Sequence, residues 1–309
     1  MRIMIRTLAF VSFSMIQSMS AQSQSAPGLQ IIRPLGDSIT FGYSSDFTAK
    51  LSTMNCYNAQ VWCFYPGVKY GGNFGGGYRG ILTWLAISEK NRVLKPFTTV
   101  GFQSGNSSIN QWMTNSQLHD GYPGARTDQL VPYSMMFMPP FPETPVTFIH
   151  LGTNDITQGH LDDKLDQNTI VEAAIANLST IVKNVVNNTK SKVYLAKVIK
   201  FSVSKYCPGQ TTSKCADFSL ANPIVEAYNE KIVKEFSGNK NVTIVEMDNI
   251  LEASDYSPDG VHPALSGYFK MACKWAESAN MFLDNKSCDD VSVADLTSLP
   301  PVATVLPYD

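Results

Sequence analysis

The sequence predicts an α/β fold: a three-layer α/β/α sandwich built around a mostly parallel central sheet. Two observations predict it. Short apolar runs recur along the chain, with longer segments of helical spacing between them. Polar blocks follow several of those runs directly, as in open sheets whose ligands bind outside the carboxyl ends of the strands. The 309 residues, 44% hydrophobic, suffice for one large domain of this kind or two small ones.

The chain opens on a segment that reads as processing signal. Arg2 and Arg6 precede an apolar stretch from Leu8 to Ile16, and small residues follow at Ser18, Ser20, Ala21 and Ser23. This pattern predicts a secretory signal peptide over residues 1–23, cut after Ser20 or Ser23. The stretch is shorter than the ~20 apolar residues that cross a bilayer, so no membrane span is expected. Buried strands are predicted at residues 29–35, 97–102, 146–151, 193–199 and 242–247, each rich in β-branched residues and bounded by turn formers or Lys. Helices are predicted at 78–91, 169–186, 223–236 and 264–282. In the second, Val171, Ala174, Ile175, Leu178 and Val182 recur at helical spacing; in the last, Leu265, Phe269, Ala272, Ala276 and Ala279 do so. Residues 44–77 read as an insertion. Its Gly-rich run at 71–77 lacks the Lys-Ser/Thr ending of a phosphate loop and is taken as an adaptable loop. The domain is placed at 27–288 and a tail at 289–309, whose end is not hydrophobic enough for a lipid anchor.

Six cysteines accompany the signal segment, and pairing neighbours in sequence gives Cys56–Cys63, Cys207–Cys215 and Cys273–Cys288. No Cys-x-x-Cys pair occurs and the four histidines do not cluster with the cysteines, so disulfides are expected rather than a metal site. Asn-x-Ser/Thr sequons at Asn106, Asn177, Asn187, Asn241 and Asn285 point to a glycosylated, extracellular protein. A formal charge of -2 and the lack of a basic run argue against a nucleic-acid partner.

Three polar blocks carry chemistry. Gly36-Asp37-Ser38 closes the first predicted strand, Gly152-Thr-Asn154-Asp155 follows the third, and Asp259-Gly-Val-His262 lies late in the chain. A serine hydroxyl is a weak nucleophile until a base takes its proton, and imidazole titrates near neutral pH. Ser38, His262 and Asp259 therefore form a candidate nucleophile, base and orienting acid. Asp37 is expected to hold the turn and to lie at the substrate site, and Asp155 to organise its loop. Arg79 and Arg126 could meet a sugar or carboxylate or make structural ion pairs. Among the tryptophans at 62, 84, 112 and 275, Trp112 is taken as a sugar-stacking platform and the others as core. His119, His150 and His160 have no evident partner in chemistry.

These blocks resemble the SGNH, or GDSL-type, hydrolase superfamily, over residues 29 to about 282. The resemblance implies a flavodoxin-like sandwich and an oxyanion hole made by the N–H groups of Ser38 and Gly124 and the amide of Asn154. Gly124, in His119-Asp-Gly-Tyr-Pro-Gly124-Ala-Arg126, is placed ahead of Gly101 and Gly105 for that role. Within the superfamily, Gly77-Tyr-Arg79-Gly80, the Asp-Gly-Tyr-Pro-Gly run, Leu151-Gly-Thr-Asn-Asp and Gly267-Tyr268-Phe-Lys-Met271-Ala are similar to carbohydrate esterase family 3, whose members are largely acetylxylan esterases. Tyr122 stands where those esterases often carry histidine and Ala125 where they often carry an aromatic residue, so the pocket beside Gly124 departs from the family pattern.

The resemblance implies a serine esterase acting on acetylated poly- or oligosaccharide with no cofactor or metal; with the signal segment and the charge, the expectation is a secreted protein, a monomer, with no nucleic-acid partner. Two other functions fit the same chain: a lipid esterase or lysophospholipase, and a glycan-binding protein without catalysis. The four residues Ser38, Asn154, Asp259 and His262 are all in place, which weighs against the last.

Overall fold

The computed structural model describes residues 29–43, 55–56, 63–64, 76–88, 90–104, 118–134, 146–209 and 212–297. The expected signal segment, Trp62, Trp112 and the sequon at Asn106 lie outside the described residues, as do the side chains of Cys56 and Cys63.

Nine strands are described: β1 (Gln30–Gly36), β2 (Asn55–Cys56), β3 (Cys63–Phe64), β4 (Phe97–Thr99), β5 (Gln103–Ser104), β6 (Leu118–Gly121), β7 (Val146–His150), β8 (Lys192–Ala196) and β9 (Val242–Val245). Seven of them form one sheet in the order β5-β6-β1-β7-β8-β9, with β4 also beside β1. Strand β1 is its axis. On one edge it pairs in parallel with β4 along its first half (Gln30 opposite Phe97) and with β6 at its end (Gly36 opposite Gly121). On the other edge β7 runs parallel, with Gly36 opposite His150, and β8 and β9 continue outward. Only β5, paired with β6, is antiparallel. The chain thus leaves β1 for one side of the sheet and later returns to the other, which makes the carboxyl end of β1 a topological switch point. Strands β2 and β3 form a separate antiparallel pair with Cys56 opposite Cys63.

The helices are α1 (Ser38–Phe41), α2 (Gly77–Ile87), α3 (Thr127–Ser134), α4 (Thr153–Ile156), α5 (Gln167–Thr189), α6 (Val203–Tyr206), α7 (Ser213–Ser219), α8 (Ala221–Phe236), α9 (Leu265–Ser278) and α10 (Val293–Thr297). A π-helical turn, Thr157–Asp162, continues α4. The two-residue period of the strands sorts the core. Phe148 and Tyr194 face α2 and α9, where Trp275 stacks on Phe148 at 4.5 Å and 4°. Ile149, Val193 and Leu195 face the other way, into α5 and α8. These two apolar layers on opposite faces of one sheet are the predicted sandwich. Helix α5 is long and apolar enough to cross a membrane by length and composition, but Ile170, Val171, Ala174, Leu178 and Val182 bury its apolar face in this second layer. Asp166 caps its start by accepting from the N–H of Thr169 (3.1 Å).

The expected strands and helices match observed elements to within a few residues. Strand β6 and helix α3 were not among the expectations. The first holds buried His119 and Asp120; Arg33 of β1 satisfies the aspartate at 2.7 Å, 87 residues away. The second contains Pro132, which removes one helical N–H. Residues 76–77, expected in an adaptable loop, instead pack backbone to backbone against Gly42 and start α2. Cys207 is bonded to Cys215 and Cys273 to Cys288. From the segment expected as a tail, Val291 is buried against the first layer.

Candidate active site

Glycine ends β1 for a steric reason: a Cβ on Gly36 would stand 2.2 Å from the His150 carbonyl oxygen on the neighbouring strand. Asp37 then caps α1, its Oδ1 accepting from the N–H of Ile39 at 2.9 Å. The helix lasts one turn and ends at Gly42, whose φ of 92° is left-handed. Buried Arg79 donates to the carbonyls of Thr40 (2.8 Å) and Phe41 (3.0 Å) at the carboxyl end of α1. Burial lowers its pKa to about 10, which leaves it charged at neutral pH. Its role here is structural, as support of α1, through carbonyl hydrogen bonds where an ion pair or a substrate contact was expected.

Ser38 Oγ lies 2.8 Å from Nε2 of His262, across 224 residues of sequence. His262 Nδ1 lies 2.9 Å from Oδ2 of Asp259. An ionised carboxylate only accepts, so Nδ1 carries the proton and Nε2 is free to accept from the serine hydroxyl. Asp259 Oδ1 accepts from the N–H groups of Val261 (2.9 Å) and His262 (2.8 Å). Burial pushes the Asp259 pKa up, but the bond and charge of His262 and these N–H groups outweigh it and bring it to about 2. The loop hangs on the chain after β8. Ser202 N donates to Gly260 O at 2.7 Å, and the Tyr256 hydroxyl donates to the Lys200 carbonyl.

After β7, Gly152 adopts φ 125°, and a Cβ there would meet the ring of Tyr228 at 2.5 Å. The Tyr228 hydroxyl donates to Leu151 O at 3.0 Å. This pins the start of α4, whose side chains grip the turn after β6. Asn154 Nδ2 donates to Ala125 O (3.1 Å), Gln158 Nε2 to Gly124 O (2.9 Å), and Asp155 accepts from Thr127 N (2.9 Å) and its hydroxyl. Gly124 is exposed with φ 78°. Burial raises Asp155 to about 6 against the lowering effect of the Thr127 bonds.

The structure therefore brings together Ser38, Asp259 and His262 as one hydrogen-bonded chain, and links Asn154 to the turn that holds Gly124. Asp37 requires a correction. It was expected at the substrate site, yet it is 0% exposed and faces its own helix, so it holds the turn and cannot touch substrate. Arg126 is half-buried on the rim, with its guanidinium bound to Asp128 (3.0 and 3.1 Å) and Gln158. Trp84 and Trp275 are core residues. His119 and His150 are buried, and burial lowers both pKa values, that of His150 to about 4. His160 Nε2 lies 3.0 Å from Asp217 O. Asn187 and Asn285 are exposed, and Asn241 is half-buried. The Asn177 amide donates to Thr127 Oγ1 at 3.3 Å. Among the described residues, no group of three or more His, Cys, Asp or Glu is placed to hold a metal ion.

Gln158, Tyr228 and Tyr43 are site residues that the sequence reading passed over. Gln158 had a usable signal, since it lies four residues after Asn154 on the same helical face. Tyr43 follows the nucleophile turn directly, and its ring lies 4.6 Å from that of His262, inclined at 62°. Chemically, the arrangement can move a serine proton onto an imidazole whose tautomer a carboxylate has set.

Residues 35–269 match the model of the GDSL-like Lipase/Acylhydrolase family. A multidomain esterase of Ruminococcus flavefaciens is 24% identical over 294 residues; the match covers 89% of this chain and 32% of that protein, so the chain spans about a third of the length of that relative. Among solved structures, an acetyl esterase mutant with acetate ion superposes with a TM-score of 0.52 at 16% identity, covering 82% of this chain and 97% of the other. That likeness shows the same fold. A Clostridium thermocellum family 3 carbohydrate esterase gives a TM-score of 0.48 at 19% identity, over 87% and 99% of the two chains.

Proposed function

We propose that this chain, which belongs to the GDSL-like Lipase/Acylhydrolase family, is a secreted serine esterase that removes acetyl groups from carbohydrate. The observation that carries the reading is the Ser38–His262–Asp259 chain of hydrogen bonds at 2.8 and 2.9 Å. Ser38 Oγ attacks the ester carbonyl while His262 Nε2 takes its proton. The negative oxygen that develops is met by the N–H groups of Ser38 and Gly124 and by the Asn154 amide. One N–H of that amide is spent on Ala125 O, which aims the other. As the ester C–O bond breaks, the proton passes from His262 to the departing alcohol. Water, activated by the same imidazole, then releases acetate from Ser38. Asp259 stays ionised throughout, its pKa being held at about 2.

The carbohydrate substrate is supported by the sequence resemblance to acetylxylan esterases. Secretion is supported by the basic-then-apolar opening of the sequence and by the two disulfides. The test is acetate release from acetylated xylan by purified protein beside Ser38→Ala. Release that vanishes in the variant supports both mechanism and substrate. Ser38-dependent cleavage of a small aryl acetate without release from xylan keeps the mechanism and rejects the substrate. A strong preference for octanoyl or longer esters would instead favour a lipid esterase.

A further inference from the structure

We propose that Tyr43 forms the wall of the leaving-group site, against which the alcohol part of the ester, a pyranose ring on the reading above, is held during acyl transfer. The inference rests on that reading, because it needs His262 to hand a proton to the departing oxygen.

Chemistry fixes where the alcohol must lie. In the first step a bond forms between Ser38 Oγ and the acyl carbon, and the bond from that carbon to the alcohol oxygen breaks. The Ser38 proton leaves on that oxygen, having passed through the imidazole. The departing oxygen must therefore come within hydrogen-bond reach of His262 Nε2, which is 2.8 Å from Ser38 Oγ. Asp259 occupies the opposite nitrogen, so the alcohol is confined to the Nε2 edge. Tyr43 is the ring packed on that imidazole, with centroids 4.6 Å apart, and it is half-buried.

The ring is held in place by its backbone. Tyr43 N donates to Ser38 O at 2.9 Å, and its carbonyl accepts from the hydroxyl of Tyr268, a residue only 3% exposed. Gly42 turns the chain just before it, packed so closely that a Cβ would stand 2.2 Å from Gly77 N. These contacts close the carboxyl end of α1 and at the same time fix where the ring stands. A tyrosine so held offers an apolar face and a polar tip, which match the C–H face and hydroxyl rim of a sugar. Burial, then the nearby Asp259 charge, raise the phenol pKa, so the hydroxyl remains a donor at neutral pH.

The test uses two acetyl esters that pass through the same acetyl-Ser38: an acetylated xylo-oligosaccharide, and ethyl acetate, whose two-carbon alcohol offers the ring far less surface. In Tyr43→Ala the ratio of kcat/KM for the sugar ester to that for ethyl acetate falls about tenfold, while Tyr43→Phe holds it within about twofold of wild type. Tyr43→Leu, which keeps bulk without the aromatic face, gives the same loss and serves if the alanine variant fails to fold. Equal fractional losses on both esters, with the acid limb of the rate profile moved, would show that the ring acts only through His262 and overturn the proposal. An unchanged ratio in both variants would overturn it too. Wild-type turnover of ethyl acetate but not of the oligosaccharide defeats the carbohydrate reading instead. The ratio of cyclohexyl acetate to ethyl acetate then tests the wall by itself.

Discussion

Replacing Arg33 by Met strands a carboxylate inside the protein. Arg33 Nε and Asp120 Oδ2 are 2.7 Å apart, with side chains 1% and 0% exposed. After the substitution, Asp120 Oδ1 still accepts from Phe102 N (3.0 Å) and the Tyr122 hydroxyl (3.2 Å), so part of its solvation survives. What is lost is the opposite charge, and breaking a buried pair from one side costs about 3–5 kcal/mol. With a urea slope of about 3 kcal/mol per molar, the unfolding midpoint falls by roughly 1–1.7 M. Adding Asp120→Asn to Arg33→Met removes the stranded charge and recovers part of that loss, as a double-mutant cycle by urea unfolding will read. The effect reaches the site, because Asp120 lies two residues before the turn that carries Gly124. Arg33→Met therefore also lowers kcat in buffer without urea. A midpoint shift below about 0.3 M, or a double variant less stable than the single, would refute the reasoning.

Three further outcomes follow from the site. Burial raises Asp37 to about 6, so its contribution to stability is complete below its unfolded pKa of ~3.9 and is lost as pH rises through about 6. Asn at this position does not ionise. Thermal melts should thus show Asp37→Asn gaining on wild type by about 2–3 kcal/mol between pH 4 and 7, and a flat difference would sink the claim. Gly152→Ala forces a side chain into φ 125° and against Tyr228, at a cost of about 2–4 kcal/mol; chemical denaturation showing less than about 1 kcal/mol would count against it. Asp259→Asn releases the imidazole tautomer and should lower kcat by about 10³–10⁴ while circular dichroism stays native. A loss under about tenfold would remove Asp259 from the proposed mechanism.

What the sequence made legible was whatever it repeats locally. Strand β7 is fully buried and β1 is buried from Ile32 onward, both carry β-branched residues, and the polar blocks sit directly at their ends. Strand β6 escaped because His119 and Asp120 look like loop residues until Arg33 is known to stand beside them. Helix α3 escaped because Pro132 argues against it, whereas Asp155 and Asn177 hold its first residue from other elements. Asp37 was misplaced for a related reason: an aspartate beside a nucleophile reads as functional, and only burial reveals it as a cap. The contact between Ser38 and His262 could be inferred from residue types, but the ring of Tyr43 against His262 is a product of tertiary packing and leaves no spacing to find.

The 224 residues between Ser38 and His262 also set a schedule. During synthesis Ser38 emerges early, whereas His262, its proposed base, follows only after every strand of the sheet. Such a long-range closure is slow, and it follows most of the core in time. The loop that bears His262 is anchored on residues 200–202 after β8, and α9 packs on α2 with Tyr268 bonded to Tyr43. The hydroxyl of Ser38 is thus chemically idle through most of the life of the nascent chain. On the proposed mechanism, hydrolysis has to wait until the loop that bears His262 has docked.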